Sequence, residues 1–285
     1  MPAKGIGISP YITTKKKGGG GVPTSTNATV QAWLNKIGTD GYAYPSQAKV
    51  DIYTTAWDYA DAQGLTNQFD LFSLTKVENV DLIKVPFVNA ANSLFTIENQ
   101  YDLDFNSAKG ITNKSDGTFN CYLNTNYNTN TNKVNVSLNN ISMGYYGYDR
   151  GLVGLGNSAF VMGAEISGAS TRLNLQDSAS TTVRLLLNQN TSSTANVGVF
   201  TNGFVSGTRI NSTQITVYRD GANPVVQALT STAIPNFNVY LLGVNRNGSF
   251  TANSGFDYSY VACSFIGSGA IDQAKLNTFV NLLLL

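Results

Sequence analysis

Few side chains in this 285-residue chain could carry acid–base or nucleophilic chemistry. The sequence contains no histidine, which excludes Ser-His-Asp and Cys-His nucleophile activation, zinc held by imidazole, and imidazole acid–base catalysis. It contains three glutamates, Glu78, Glu98 and Glu165. Glu165 lies in an otherwise apolar run, where an acid is more often a solvent-facing or paired strand residue than a catalytic one. The acids alone therefore favour a protein that is not an enzyme.

One pair of acids has the spacing of a possible glycosidase site. Glycoside hydrolysis needs two carboxylates that face each other across a cleft. Asp102 and Asp104 have the period of two residues that places side chains on one face of a strand. Their apolar neighbours Tyr101, Leu103 and Phe105 indicate a half-exposed strand more simply. The sequence thus predicts no catalytic residues.

Metal chemistry finds little support either. Cys121 and Cys263 are too few for a four-thiolate site, and each lies in an apolar, strand-like run. We expect two buried free thiols, with a single bridge as the alternative if their strands are neighbours. Calcium needs convergent oxygen ligands, and no EF-hand spacing is present. The sequence predicts no metal and no cofactor, although calcium stays an alternative at four loop aspartates: Asp116, Asp149, Asp177 and Asp257.

Sugar binding needs fewer specialised side chains than catalysis or metal binding, because aromatic faces and polar side chains are sufficient. Tyrosine has a large amphipathic surface and few rotatable bonds, a property that recognition surfaces exploit. One strand-to-loop junction combines three tyrosines with an acid and a cation, and it is our predicted glycan site: Tyr145, Tyr146, Tyr148, Asp149 and Arg150. The alternative is that Tyr145 and Tyr148 only pack on a sheet. Residues 120–132, with Tyr122 and Tyr127, are interpreted as a strand and hairpin loop first and as a glycan contact second.

Charge and hydropathy exclude other classes of partner. Charged residues make up 12% of the chain and the formal net charge is +1, so no electrostatic footprint for nucleic acid is present. No run approaches the roughly 18 apolar residues of a membrane span. The first residues lack the apolar core of a secretory signal. We expect a protein that is soluble when made, with no nucleic acid partner and no membrane span.

Two short helices precede the β-rich part of the chain. Asn27 or Thr29 can cap a first helix that carries Trp33, and Ser46 can cap a second one that carries Trp57 and ends at Gly64. A dense apolar patch follows at residues 69–74. Because two short amphipathic helices cannot bury both tryptophans, residues 29–85 are predicted to be a small helical region packed on a larger body.

Residues 86–285 are predicted to be that body, a mainly β sandwich closed by a helix from Asp272 to about residue 283. Short apolar runs with period-two alternation are separated by Asn, Gly, Ser and Asp clusters, the pattern of a sandwich or barrel. The predicted strands are residues 94–97, 119–123, 134–138, 143–148, 160–166, 171–175, 183–187, 196–200, 204–210, 214–219, 225–229, 239–244 and 258–266.

Residues 1–28 are predicted to be a flexible arm. Three lysines precede Gly18 to Gly21, and a Val-Pro-Thr-Ser-Thr linker follows. The small apolar residues 5–12 could dock into another surface. The alternative is a disordered terminus.

Three stretches of the sequence resemble the concanavalin A-like and laminin-G-like jelly rolls. Residues 214–226 resemble their hairpin with an Asp-Gly turn, since Asp220 and Gly221 tolerate the positive φ angles of a tight turn. Residues 241–248 resemble a strand that ends in an Ile-Gly-like step. Residues 260–276 resemble the last strand running into a terminal helix. The resemblance implies a jelly-roll sandwich, and the alternating acidic motif of the glucanases on this fold is missing.

The whole layout, an arm before a helical pair, a jelly roll and a terminal helix, is similar to bacteriophage virion proteins of the fibre, tail or capsid-accessory type. This resemblance implies a non-enzymatic structural protein located on the virion. Its arm would bind other virion proteins and its loops would contact a host surface or glycans. A homo-oligomer is implied, with a trimer as the suggested symmetry. The alternatives are a free carbohydrate-binding lectin module and, less favoured, a polysaccharide-cleaving jelly-roll enzyme.

Overall fold

A computed structural model of the chain describes residues 21–113, 121–149, 159–166, 171–179, 181–191, 194–198, 201–251 and 260–285. The helices of this part are α1 (Ala28–Thr39), α2 (Gln47–Ala62) and α3 (Gln273–Leu283). Short 3-10 turns cover Thr66–Gln68, Val80–Lys84 and Gln100–Asp102. The first nine strands are β1 (Phe69–Leu74), β2 (Val88–Asn89), β3 (Thr96–Glu98), β4 (Leu103–Asn106), β5 (Gly110–Asn113), β6 (Tyr122–Asn128), β7 (Ile141–Tyr148), β8 (Ala159–Ile166) and β9 (Thr171–Ala179).

The remaining strands are β10 (Thr182–Gln189), β11 (Thr194–Asn196), β12 (Gly203–Arg209), β13 (Gln214–Arg219), β14 (Ala222–Ala228), β15 (Asn238–Leu241), β16 (Val244–Arg246), β17 (Ser249–Thr251) and β18 (Tyr260–Gly267). The first sheet has the order β14-β13-β12-β7-β18-β1-β2, with β5 beside β18 and β4 beside β5. The second has the order β11-β10-β9-β8-β15-β6-β3, with β16 beside β8 and β17 beside β16. Within the described ranges β8–β16 is the parallel pair.

The two sheets pack face to face around one apolar core. Alternating residues of β6 are buried between the sheets, while the residues between them are half-buried on the outer face. The sheets lie in close contact where β12 carries a glycine, because a Cβ on Gly207 would lie 1.9 Å from Leu185 Cδ2 of β10. The predicted fold class, a mainly β sandwich of jelly-roll type with a helical pair before it and a helix after it, is confirmed.

The helices begin where the sequence predicts them. The side chain of Asn27 accepts hydrogen bonds from the N–H groups of Thr29 and Val30 at 3.0 and 3.2 Å, and Ser46 caps α2. Asp272 caps α3 through Ala274 N and Lys275 N. Each cap satisfies amides that have no partner inside their helix.

The helical layer covers the outer face of the first sheet. Trp57 of α2 is fully buried and makes edge contacts with Phe72 of β1 and Phe279 of α3, with ring centroids 5.5 and 5.0 Å away. Trp33 of α1 stacks on Phe87 at 4.4 Å. Both tryptophans are buried against the β-rich body, as the sequence predicts.

Two of the predicted stretches have a different structure from the one assigned, and strands β2, β5 and β17 were not predicted. The apolar patch that we included in the helical region is β1, which pairs with β18 and β2 inside the first sheet. Residues 134–138, predicted as a strand, form a loop instead. The N–H groups of Val134 and Asn135 donate to the carboxylate of Asp70, which lies in β1, so these amides are not available to a sheet ladder.

The Asp-Gly hairpin of the resemblance is present between β13 and β14. Asp220 and Gly221 have φ angles of 52° and 71°, as a tight turn of this kind requires. The turn also lies against the start of α3, because a Cβ on Gly221 would sit 2.5 Å from the carbonyl oxygen of Gln273. Cys121 and Cys263 are buried and are not joined by a disulfide, as expected, and burial raises the pKa of the Cys263 thiol to about 12.

The arm of residues 1–28 lies mostly outside the described residues, which begin at residue 21. Its last part is attached to α2. Thr24 N and Thr24 O both bond to the side-chain amide of Gln47, at 3.1 and 3.0 Å, and Ser25 Oγ lies 2.6 Å from Thr54 Oγ1. The arm therefore meets the body along this helix.

Candidate functional site

Strand β7 carries three of the five residues predicted to bind glycan, Tyr145, Tyr146 and Tyr148, and the alternation of side chains along the strand places them on two faces. Tyr145 is fully buried in the core between the sheets. Tyr146 and Tyr148 are half-buried on the opposite face of the strand, with their ring centroids 5.1 Å apart. Arg150 lies outside the described residues. The Tyr145 ring offers no face to a ligand, so the candidate surface keeps Tyr146, Tyr148 and Asp149.

Asp149 is positioned by the left-handed turn that ends β7. Its φ angle is 55°, a conformation that aspartate tolerates better than most residues. Its N–H donates to Asn202 Oδ1 at 3.1 Å, and its carboxylate forms an ion pair with Lys109, which lies between β4 and β5. The side chains of Asp149 and Lys109 are 30% and 39% exposed, so the pair remains open to solvent.

A third tyrosine joins this surface from the neighbouring strand. Tyr260 of β18 pairs directly with Tyr148 of β7. Its hydroxyl donates to Asp104 Oδ2 at 2.7 Å, and Lys109 Nζ lies 5.6 Å from its ring centroid. Lys76 lies over the Tyr148 ring at 5.5 Å and donates to its hydroxyl at 3.3 Å. We call these residues the strand-end cluster: Lys76, Asp104, Lys109, Tyr146, Tyr148, Asp149 and Tyr260.

The strand-end cluster is balanced in charge, with two lysines and two aspartates. Desolvation by burial, with the adjacent Tyr146, raises the pKa of Tyr148 to about 12. Desolvation and the hydrogen bond to Asp104 raise the pKa of Tyr260 to about 12. Both phenols stay protonated at neutral pH and can donate hydrogen bonds. Such a surface suits an uncharged, hydroxyl-rich ligand.

Sequence reasoning missed Lys76, Asp104, Lys109 and Tyr260 as members of this cluster. They approach Tyr148 and Asp149 only because β18 pairs with β7, β1 and β5 pair with β18, and β4 pairs with β5. No local spacing signals such contacts, since the residues are far apart along the chain. The Asp102–Asp104 pair is not a paired strand motif, because Asp102 belongs to a 3-10 turn and Asp104 to β4.

The two tyrosines of the second predicted stretch, residues 120–132, also lie on opposite faces of their strand, because side chains alternate along β6. Tyr127 is buried between the sheets and donates to Asp70. Tyr122 lies on the outer face of the second sheet, between Tyr240 and Phe250, with both centroid distances 4.4 Å. We call Tyr122, Tyr240 and Phe250 the ring stack.

Glu165 is a paired strand residue, which was the favoured interpretation of its sequence context. It pairs across the strands with Arg172 of β9 and Arg246 of β16. Its side chain is 3% exposed and contacts Arg246 Nε directly, while Arg172 Nε lies 3.8 Å away.

The described part of the chain holds neither a membrane-spanning helix nor a cluster of metal ligands. No helix of the described residues is long and apolar enough to cross a membrane. No group of three or more Cys, Asp or Glu side chains in this part of the chain could hold a metal ion. Of the calcium candidates, Asp149 is paired with Lys109. Asp116 and Asp257 lie outside the described residues, and the Asp177 side chain is not described.

Comparisons with solved structures find the same fold at low sequence identity. The chain is similar to botulinum neurotoxin type C, which depends on interaction with two ganglioside molecules to enter cells (TM-score 0.50, 10% identity, 78% of this chain and 53% of that one). It is also similar to a Trypanosoma rangeli sialidase mutant displaying trans-sialidase activity (TM-score 0.49, 10% identity, 83% of this chain and 39% of that one). A third similar structure is the receptor binding domain of botulinum neurotoxin D (TM-score 0.49, 10% identity, 75% of this chain and 53% of that one).

The chain thus spans about half or less of the length of these structures. No protein-family model matches the sequence, and no curated protein does. At this identity the likeness shows the fold, a β-sandwich, and not the function.

Proposed function

We propose that the chain is a non-enzymatic, carbohydrate-binding β-sandwich. The observation that carries the proposal is the strand-end cluster, where half-buried tyrosines lie beside Asp104, Lys109 and Asp149 on adjacent strands. Aromatic rings can pack on the apolar face of a sugar, and the charged groups can bond its hydroxyls. The ganglioside dependence of botulinum neurotoxin type C, which has a similar fold, agrees with this class of ligand.

Binding at the strand-end cluster is tested with an array of neutral and acidic oligosaccharides, followed by calorimetry on the best ligand. We expect Tyr148→Ala to weaken binding by about tenfold or more, because truncation of a central aromatic contact commonly has this effect. Tyr260→Phe keeps the ring, removes the bond to Asp104 and should weaken binding less. The fold of each variant is checked by circular dichroism.

The matched control is Tyr59→Ala, since Tyr59 is a half-buried tyrosine of α2 in the helical layer. It should bind the ligand as the unchanged protein does. Glycan binding is refuted if the unchanged protein retains no oligosaccharide on the array. The assignment to this cluster is refuted if Tyr148→Ala and Tyr59→Ala bind equally well.

We further propose that the protein is a bacteriophage virion component of the fibre, tail or capsid-accessory type, made in the bacterial cytoplasm. Residues 1–28 would anchor it to other virion proteins, and a homo-oligomer, suggested as a trimer, would display the sandwich. The hydrogen bonds of Thr24 and Ser25 to α2 support anchoring through the arm, because an arm bonded to the body at its base would hold the body close to the point where the arm is bound.

Deletion of residues 1–20 tests the anchoring role without removing the cap of α1 or the contacts of Thr24. We expect the shortened protein to fold and bind glycan but to be lost from particles. A control chain with residues 1–20 replaced by a Gly-Ser sequence of equal length should be lost as well. Equal incorporation of all three would contradict anchoring through the arm. Light scattering measures the subunit number.

A further inference from the structure

The outer face of the second sheet holds a charged group that the strand-end cluster does not use. Glu165 of β8 is flanked by one arginine on each neighbouring strand, Arg172 on β9 and Arg246 on β16. With adjacent strands roughly 4.8 Å apart, the two arginine Cα atoms lie about 10 Å from each other. The carboxylate is almost fully buried, while Arg172 and Arg246 are 31% and 41% exposed.

The charges of this group do not cancel. One carboxylate faces two guanidinium groups, which leaves one positive charge on the sheet surface. The contacts of both arginines with Glu165 are made through Nε. Within the described ranges Arg172 Nε has no hydrogen-bond acceptor, since its distance to the carboxylate is 3.8 Å. The Nη groups can therefore donate to a ligand, with Glu165 holding the side chains in place.

The ring stack lies beside this group. Tyr240 pairs with Gly163 of β8, and Glu165 is two residues further along the same strand, on the same face. Diagonal neighbours of this kind are about 7–8 Å apart, which is the scale of one sugar ring with its substituents. Glu98 is the other carboxylate that we place on this face, and it lies opposite Tyr122, on the far side of the stack from Glu165.

We propose that this face is a second ligand site, specific for the acidic group of a charged saccharide. Arg172 and Arg246 bind the carboxylate or sulfate, and the edge of the ring stack contacts the sugar. Charge complementarity favours an acidic saccharide, because the exposed hydrogen-bond donors are the guanidinium groups of Arg172 and Arg246. Gly163, which has no side chain, leaves room between these arginines and Tyr240. The inference rests on the proposed carbohydrate binding and adds a site on another face of the molecule.

The test uses three acidic probes, each with a neutral parent. They are sialyllactose with lactose, a glucuronate-containing tetrasaccharide with the same sugar after reduction of its carboxylates to alcohols, and a sulfated disaccharide with its unsulfated form. We expect at least one acidic probe to bind about tenfold more tightly than its parent, with affinity that falls as salt rises. Arg172→Gln should abolish this preference and leave Glu165 paired with Arg246. Arg246→Gln is the second variant.

Arg219→Gln on β13 is the control, because it removes an arginine of the first sheet that is also 31% exposed. It should keep the preference for the acidic probe. Equal binding of acidic and neutral probes, or an acidic preference that survives Arg172→Gln in a folded protein, overturns the proposal. Tyr148→Ala separates the two sites, since it should weaken the neutral ligand of the strand-end cluster and leave the acidic preference unchanged.

Discussion

Asp70→Asn is expected to lower the free energy of unfolding by about 3 kcal/mol, although it changes only one atom of the side chain. Asp70 is completely buried in β1. Its Oδ2 accepts from Tyr127 Oη at 2.9 Å and from Val134 N at 2.8 Å, while Oδ1 accepts from Asn135 N at 2.7 Å. Urea unfolding followed by tryptophan fluorescence measures the loss.

The physical reason is that an amide cannot satisfy three donors. If the NH2 group replaces Oδ1, it faces Asn135 N, and if it replaces Oδ2, it faces Val134 N. Either orientation leaves one buried backbone N–H opposed to another donor. Burial and the adjacent Asp70 raise the pKa of Tyr127, so its hydroxyl stays a donor at neutral pH.

Two further variants test whether the loss comes from the hydrogen bonds of Asp70. Tyr127→Phe removes one donor and leaves both backbone bonds of Asp70 intact, so it should cost about 1 kcal/mol. Asp51→Asn is the matched control, because Asp51 is exposed on α2 and an amide oxygen can still accept from Gln47. It should change stability by less than about 0.5 kcal/mol. Equal stability of Asp70→Asn and Asp51→Asn would contradict the role of Asp70.

The sequence predicts the elements of this fold better than it predicts their partners. The caps at Asn27 and Ser46 and the Asp220–Gly221 turn are local signals, and all three appear where expected, while Asp272, predicted as the first residue of the last helix, is its cap. The assignment of residues 69–74 to the helical region was wrong because a short apolar run has no periodicity that separates a strand from a buried helix. Only the pairing with β18 shows that this run is a strand.

The candidate site shows the same division between local and long-range information. Period-two alternation along β7 is visible in the sequence, and it separates Tyr145 from Tyr146 and Tyr148 once the buried face is known. Which face is buried depends on the other strands. Tyr260 joins the strand-end cluster through a pairing between residues more than a hundred positions apart, which one sequence does not encode locally.

Buried charged residues in this chain join parts that are distant in sequence. Asp70 connects β1 of the first sheet with Tyr127 of the second sheet and with the loop at Val134. Glu165 connects three strands of the second sheet. Among the described residues, each of these two buried carboxylates therefore bonds to partners on other strands or loops.

Arg209 is the strongest case of this kind, and its replacement should be among the most harmful in the chain. The side chain is fully buried at the end of β12. Its guanidinium donates to Leu187 O at 2.6 Å, Leu229 O at 2.9 Å and Asn211 O at 3.3 Å, and also to Gln189 Oε1. Leu187 and Gln189 belong to β10 of the second sheet, so this one side chain joins both sheets.

Arg209→Met is expected to lower the free energy of unfolding by about 3 kcal/mol, since four acceptors lose a donor that water cannot replace in the core. Arg209→Lys should be no better. A lysine has three donors on one nitrogen, cannot reproduce the planar fork and is harder to desolvate. Burial already lowers the pKa of Arg209 to about 10, which shows how strongly this site disfavours charge.

The comparison of the two variants decides whether geometry or charge matters at this position. If charge alone mattered, Arg209→Lys would retain the stability that Arg209→Met loses. We expect both to unfold at clearly lower urea concentration than Arg219→Lys, whose arginine is partly exposed and bonds to Val197 O. A lysine variant within about 0.5 kcal/mol of the unchanged protein would show that Arg209 does not join the sheets through its fork.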